Sequence, residues 1–113
     1  PYMKSGQLRV LASTGAHRPS ALPDVPTVME QGLAKYDTGV WMGLFAPAAT
    51  PRDIVERLNR DVQKVLATPE LKAQFAAQGM DPMVATTDEF TAYVKSEMEK
   101  WNEAVRASGA RVD

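Results

Sequence analysis

The sequence predicts a helix-rich α/β fold with two or three short strands and three main helices. Two short apolar runs, at residues 8–13 and 40–46, are flanked by glycine or proline, which is typical of strands. In the second half of the chain, apolar residues instead recur at helical spacing in three stretches. Each of these stretches follows a helix start signal, so the strands are expected first and the helices after them.

The two predicted strands differ in pattern. Residues 8–13 alternate apolar and other side chains, which predicts a strand with at least one buried face. Residues 40–46 are apolar or glycine throughout and lie between Gly39 and Pro47. A continuous run of this kind predicts a strand that is buried on both faces, or one that crosses between two bodies.

Between these strands the sequence predicts a loop and a short helix. Residues 14–27 hold three prolines, which exclude a regular helix or a central strand. Thr27 and Glu30 then stand at the spacing of a capping box. We therefore expect a helix over residues 28–31, which Gly32 would end.

Three longer helices are predicted in the second half of the chain. The first is expected over about residues 51–67, with Thr50 as its N-cap and Pro51 at the first helical position. The second is expected over residues 70–78, after a threonine and a proline. The third is expected over residues 87–108, between a capping box and a terminating glycine.

Composition excludes several classes of function. The 113 residues carry 13 Lys and Arg against 14 Asp and Glu, a net charge of −1. The basic excess that nucleic-acid binding needs is therefore missing, and we expect no nucleic-acid partner. With no cysteine, there is no disulfide framework, thiol nucleophile or cysteine metal site. No apolar run approaches the roughly 20 residues that span a bilayer.

The sequence contains no recognisable catalytic pattern. His17 is the only histidine, and it lies in the proline-rich loop without a neighbouring nucleophile or orienting partner. The acidic residues near the predicted helix starts are accounted for by the helix dipole. The glycines are dispersed and form no phosphate-binding loop. We therefore place His17 on a surface loop and expect no catalytic residue, no metal site and no cofactor.

Two places along the chain have the chemistry of a small-molecule site. Ser13, Thr14 and Gly15 end the first predicted strand, and ligands collect at strand ends in open α/β sheets. Hydroxyl and backbone N–H groups there suit a carboxylate or another small anion; the alternative is a simple strand-to-loop turn. Trp41 lies near Gly43, where a missing side chain permits close approach, so Trp41 is either a cleft wall or part of a packed core.

Two motifs make the chain resemble a known family. They are LPDVPT at residues 22–27 and WMGLFAP at residues 41–47, and the opening GQLRVLAS and the helical tail keep the family's order. Over essentially its whole length the chain is similar to the C-terminal part of the substrate-binding receptors of tripartite tricarboxylate transporters, the "Bordetella uptake gene" receptors. One departure is Thr87, where the family pattern has a proline; Thr86 still provides the cap.

The resemblance implies a fragment of a two-lobed, type II-like periplasmic binding protein, with a carboxylate ligand between α/β lobes. Residues 1–39 would then belong to the second lobe, as a strand, a proline-rich loop and a short helix. Residues 40–46 would form the crossover strand between the lobes. Residues 47–113 would form the C-terminal helical part of the first lobe.

Within this resemblance, we choose the candidate site residues from their positions relative to the predicted strands. We expect Ser13 and Thr14 as polar ligand contacts and Trp41 as a wall of the cleft. The hinge is expected within the crossover, at Val40, Met42, Gly43 and Leu44.

The resemblance also implies partners and a location. It implies a non-enzymatic receptor in the periplasm, with a signal peptide expected upstream, whose partners are a small organic carboxylate and the integral membrane subunits of the transporter. Because apolar faces would lack their natural cover, we expect the isolated chain to associate with itself. The alternative is a small, self-contained helical interaction or regulatory module without a small-molecule ligand, in which residues 40–46 would be irregular.

Overall fold

The computed structural model describes residues 2–3 and 5–111, and within them the chain forms three α-helices. They are α1 (Arg52–Leu66), α2 (Pro69–Ala77) and α3 (Thr87–Ser108). All three predicted helices are confirmed, and each end lies at the predicted residue or one residue away from it.

The start of α1 differs from the predicted geometry. The carbonyl of Pro51 accepts the first full helical bond, from the backbone N–H of Val55 at 3.2 Å. Pro51 therefore flanks the helix instead of occupying its first position. Thr50 donates its N–H to the carbonyl of Pro47 at 2.9 Å and belongs to the preceding turn. A proline is tolerated at this place because it has no N–H to leave unsatisfied.

Two local signals set the bounds of α3. Thr86 Oγ1 accepts a hydrogen bond from the Glu89 backbone N–H at 3.2 Å, and the Glu89 carboxylate accepts one from the Thr86 N–H at 2.8 Å. This is a complete capping box. At the other end, Gly109 has a φ of 67°, a left-handed conformation that favours glycine and ends the helix.

The predicted strands are not formed within the described residues, and this part of the fold prediction is wrong. In residues 8–13 the only ladder contact described is an isolated parallel bridge between Ser13 and Thr27. Residues 40–46 are irregular, and the side chains of Val40 and Leu44 are exposed, at 99% and 79%. Apolar composition predicts burial, but a strand also needs a neighbouring strand to receive its backbone hydrogen bonds. The described residues supply none to residues 40–46.

The short helix predicted at residues 28–31 is a hydrogen-bonded turn. The N–H of Gln31 donates to the carbonyl of Thr27 at 3.2 Å, and the N–H of Gly32 donates to that of Met29 at 3.0 Å. Gly32 has a φ of 106°, so the left-handed residue follows after about one turn and prevents propagation. The predicted capping bonds of Thr27 are nevertheless present, as described below.

The chain divides into two compact units. The first comprises Pro1–Phe45 and Leu66–Pro82, and the second comprises Ala46–Val65 and Met83–Asp113. The candidate ligand contacts Ser13, Thr14 and Trp41 all belong to the first unit.

Within the second unit, polar side chains of α1 hold the segment that precedes α3. Asn59 Nδ2 and Gln63 Nε2 each donate to the carbonyl oxygen of Ala85 at 3.0 Å. Arg52 Nη2 donates to both carboxylate oxygens of Asp88, at 3.1 and 3.2 Å. The two amide bonds are partly buried and fix the entry into α3, whereas the ion pair is exposed and contributes little.

Apolar side chains are poorly covered in the described part of the chain. None of them is buried there; the buried residues are Thr27 and Glu97, at 2% and 6% exposure. The Glu97 carboxylate is compensated by an ion pair with Lys100 and by the Trp101 Nε1–H at 3.1 Å.

Many large hydrophobic side chains are exposed to solvent. They include residues of α1, of α3 and of both apolar runs, whereas Leu71 and Phe75 of α2 are half-buried. No helix in residues 5–111 is long and apolar enough to cross a membrane.

Candidate solute-binding site

Ser13 is held by its backbone and offers its side chain. Its N–H donates to the carbonyl of Pro26 at 2.9 Å, and its carbonyl accepts from the N–H of Val28 at 2.8 Å. The backbone N–H predicted to be available to an anion is therefore already used. The hydroxyl oxygen is buried and has no hydrogen-bond partner among the described residues. A buried polar atom without a partner is rare in folded proteins and calls for an explanation.

Thr14 lies on the same turn and contacts the segment that leads to Trp41. Its carbonyl accepts from the N–H of Thr38 at 2.9 Å, while the residue itself is exposed. Trp41 follows Thr38 by three residues, which limits their Cα separation to about 10–11 Å. Trp41 is half-buried. All three predicted contact residues belong to the first unit, and the hydrogen bond between Thr14 and Thr38 links the segments that carry them.

The predicted hinge residues are open to solvent. Val40, Met42 and Leu44 are 99%, 78% and 79% exposed, and Gly43 is exposed as well. Trp41 stands apart from these neighbours because it is half-buried. The Trp41 residue is therefore better covered than the residues on either side of it.

An ion pair frames the loop that follows Ser13. Arg18 Nε donates to both carboxylate oxygens of Glu30, at 3.1 and 3.0 Å, and Arg18 Nη1 donates to the carbonyl of Pro23 at 3.1 Å. The hydrogen bonds from Arg18, and then from Thr27, lower the pKa of Glu30 below its ordinary value of 4.5. The same contact with Glu30 raises the pKa of Arg18, so both partners stay charged at neutral pH.

A second carboxylate anchors the same loop from beyond α2. Both oxygens of Asp81 accept from Ser20: the backbone N–H donates at 3.1 Å, and the hydroxyl forms a short bond to the other oxygen. These two hydrogen bonds lower the pKa of Asp81 below its ordinary value of 3.8. The loop is therefore tied at Arg18 and at Ser20.

Acid is expected to loosen this anchor. Because the pKa of Asp81 is lower in the folded chain than in the unfolded chain, the unfolded chain binds the proton more readily. The stabilisation is complete above the ordinary value of 3.8 and is lost as the pH falls through the lower, folded value. Urea unfolding at pH 7, 5, 4 and 3 should therefore show a falling free energy of unfolding, with a smaller fall in Asp81→Asn.

The matched control for this experiment is Glu103→Gln, which removes an exposed carboxylate from α3. It should keep the pH dependence of the unmodified chain. An Asp81→Asn chain with the same pH dependence as the unmodified chain would show that Ser20 does not stabilise the charged form.

Sequence patterns reveal only part of this arrangement. They predict the capping bonds between Thr27 and Glu30, which are present, and they propose Ser13, Thr14 and Trp41 as ligand contacts. They missed the tethers from Arg18 and Asp81, since these join residues 12 and 61 positions apart and no local rule connects such positions. The only signal in the sequence was that each of these charged residues directly precedes a proline, at Pro19 and Pro82.

The candidate site offers the hydroxyl groups of Ser13 and Thr14 as hydrogen-bond donors for an anion. Hydroxyl groups hydrogen-bond carboxylates well, and burial strengthens such bonds. No cluster of three His, Cys, Asp or Glu that could hold a metal occurs in residues 2–3 and 5–111. The surface depression along α3 is open and is lined by exposed residues of that one helix: Glu99, Asn102, Glu103, Arg106 and Ala107.

Comparisons with known proteins identify the family. Residues 1–110 match the family described as "Tripartite tricarboxylate transporter family receptor". The chain is 33% identical over 111 residues to Protein BugT of Bordetella pertussis (strain Tohama I), covering 98% of this chain and 34% of BugT. It is 34% identical over 100 residues to a UPF0065 protein from the tcbD–tcbE intergenic region of Pseudomonas sp. (strain P51), covering 88% of this chain and 30% of that protein.

Two solved structures share the fold. One is R. palustris Rpa4515 with adipate, with a TM-score of 0.73 and 29% identity, over 96% of this chain and 36% of that one. The other is the periplasmic binding protein BugD, with a TM-score of 0.72 and 30% identity, over 96% and 37%. This likeness favours the binding-protein fold over a self-contained helical module, although residues 40–46 are irregular as that alternative predicts.

The matched part is one region of longer proteins. The chain spans about a third of the length of the relatives and structures that it matches. Within that region the match is nearly continuous, from residue 1 to residue 110. The resemblance predicted from LPDVPT and WMGLFAP is confirmed, and the chain belongs to the tripartite tricarboxylate transporter receptor family.

Proposed function

We propose that the chain contributes to a periplasmic, non-enzymatic receptor that captures a small organic carboxylate for a tripartite tricarboxylate-type transporter. Membership of the receptor family supports the binding role and, with it, integral membrane subunits as partners. One structural neighbour is R. palustris Rpa4515 with adipate. Adipate is a dicarboxylate, which supports a carboxylate as the ligand class here. The predicted lobe assignment, with its crossover at residues 40–46, stays a prediction.

The observation that carries this proposal is the Ser13 hydroxyl. It is buried without a partner among the described residues, while the backbone of the same residue is bonded on both sides. The backbone that carries this hydroxyl is thus held on both sides, and the hydroxyl has a hydrogen bond left to donate. A carboxylate oxygen would accept that hydrogen bond and remove the penalty of leaving it unmade.

Thr14 and Trp41 extend the proposed site in two chemical directions. Thr14 is exposed next to Ser13 and adds a second hydroxyl for the carboxylate. Trp41 adds a large flat apolar surface for the carbon skeleton of the ligand. In a two-lobed receptor, closure about Val40, Met42, Gly43 and Leu44 would then exclude water from the bound carboxylate.

Sodium adipate tests the proposal directly. Titrated into the ¹⁵N-labelled chain, it should produce saturable amide shifts at Thr14, Gly15 and Ala16. The Ser13→Ala variant should raise the dissociation constant by about 10- to 100-fold, as expected for losing one hydrogen bond to a charged group. Ser96→Ala, which removes an exposed hydroxyl from α3, is the control and should bind as the unmodified chain does.

Citrate and benzoate extend the test to carboxylates of other shapes. Saturable binding of any of the three that depends on Ser13 supports the receptor proposal. If none of them shifts the amides near Ser13, Ser13 and Thr14 do not bind these carboxylates in this chain, and the proposed site is wrong.

A further inference from the structure

We propose that Arg18 and Glu30 are positioning residues, which hold the Ser13 hydroxyl in the geometry that a carboxylate ligand needs. This inference rests on the proposed function of Ser13. It concerns two charged residues that the expected ligand contacts do not include. The connection runs from Arg18 to Glu30, from Glu30 to Thr27, and from the Thr27 segment to Ser13.

The first link is the fork between Arg18 and Glu30. The Nε–H of Arg18 lies 3.1 and 3.0 Å from the two carboxylate oxygens, and Nη1 reaches the carbonyl of Pro23 at 3.1 Å. Arg18 therefore joins the carboxylate to the proline-rich loop. A guanidinium suits this role because its donors are planar and fixed relative to one another.

The second link joins Glu30 to a buried residue. Glu30 Oε2 accepts the backbone N–H of Thr27 at 2.7 Å, and Thr27 Oγ1 accepts the N–H of Glu30 at 3.1 Å. Thr27 is only 2% exposed. Glu30 Oε2 thus accepts hydrogen bonds from both Arg18 Nε and the Thr27 N–H. Through this shared oxygen, the position of Arg18 affects the backbone of Thr27.

The third link joins this segment to Ser13. The residues on either side of Thr27 hold both backbone groups of Ser13: Pro26 accepts its N–H, and Val28 donates to its carbonyl. A further tether runs from Gln31 Nε2 to the carbonyl of Leu11 at 2.8 Å. A movement of the Thr27 segment therefore moves the backbone from which the Ser13 hydroxyl projects, and displacements of about 0.5 Å matter to binding geometry.

A double-mutant cycle tests this role with sodium adipate as the probe. Glu30→Gln and Arg18→Lys should each raise the dissociation constant for adipate by about tenfold or more. In a Ser13→Ala background the same substitutions should have little further effect, because a positioning residue acts through the group that it positions. Glu99→Gln and Arg106→Lys, on exposed positions of α3, are the matched controls and should leave affinity unchanged.

Hydrogen exchange gives a readout that needs no ligand. The amide of Val28 donates to Ser13, so its exchange should speed up about tenfold in Glu30→Gln while α3 amides keep their rates. Unchanged affinity in both variants, or a loss that is equally large in the Ser13→Ala background, would overturn the positioning role. If the unmodified chain does not respond to adipate, the proposed function fails for that ligand, and Val28 exchange alone tests the positioning role. Faster exchange in Glu30→Gln then supports the connection from Glu30 to the Ser13 backbone. An unchanged rate overturns it.

Discussion

The Leu44→Lys variant is expected to be monomeric at concentrations where the unmodified chain self-associates. In the unmodified chain, residues 40–46 form a run of seven residues without a charge or a proline. Val40, Met42 and Leu44 are almost fully or largely exposed within it. An exposed apolar segment of this kind favours association with another chain.

The exposed apolar side chains of this run supply the surface for self-association, since burying them against a second copy would remove apolar area from water. A lysine in the run places a charge where pairing would bury it, which is costly.

Sedimentation equilibrium over a wide range of concentration measures this effect. The unmodified chain should show a mass above 12.4 kDa that rises with concentration, and Leu44→Lys should remain near the monomer mass. Gln74→Lys adds the same charge to an exposed position of α2 and should associate as the unmodified chain does. A strictly monomeric unmodified chain at high concentration would refute the prediction.

The contrast between helices and strands shows what the sequence could predict. The bounds of α3 are set by Thr86, Glu89 and Gly109, which act within a few residues of the helix ends. A pattern rule reads such signals directly. Residues 40–46 carry an equally clear apolar pattern, but a strand depends on a partner that is distant in sequence or on another chain, and the described residues provide none.

The candidate site divides in the same way. The capping bonds of Thr27 and Glu30 were predictable from their spacing. The choice of Ser13 and Thr14 as ligand contacts, made because they end an apolar run, stays a prediction. The hydrogen bond from the Ser13 N–H to Pro26 was not predictable, since it joins positions 13 residues apart. That contact removes the Ser13 N–H from the donors expected at the site and leaves the Ser13 hydroxyl, which was also expected.

The Thr27→Val variant should open the turn beside Ser13. Thr27 is 2% exposed, and its Oγ1 accepts the N–H of Glu30 at 3.1 Å. Valine has nearly the same shape, so the substitution removes the acceptor and leaves the volume filled. The N–H of Glu30 then loses its partner in a partly buried place, which costs up to about 1–3 kcal/mol.

That penalty should appear in the exchange of the Val28 amide, which donates to the Ser13 carbonyl at 2.8 Å. A local free energy of opening lower by about 1–3 kcal/mol corresponds to exchange faster by about 5- to 150-fold. Thr27→Ser keeps the hydroxyl and loses only the methyl group, so it should change the rate much less. If serine accelerates exchange as much as valine does, the methyl group and not the capping bond holds the turn. Glu30 would then help to hold the Thr27 segment only through its contacts with Arg18 and with the Thr27 N–H.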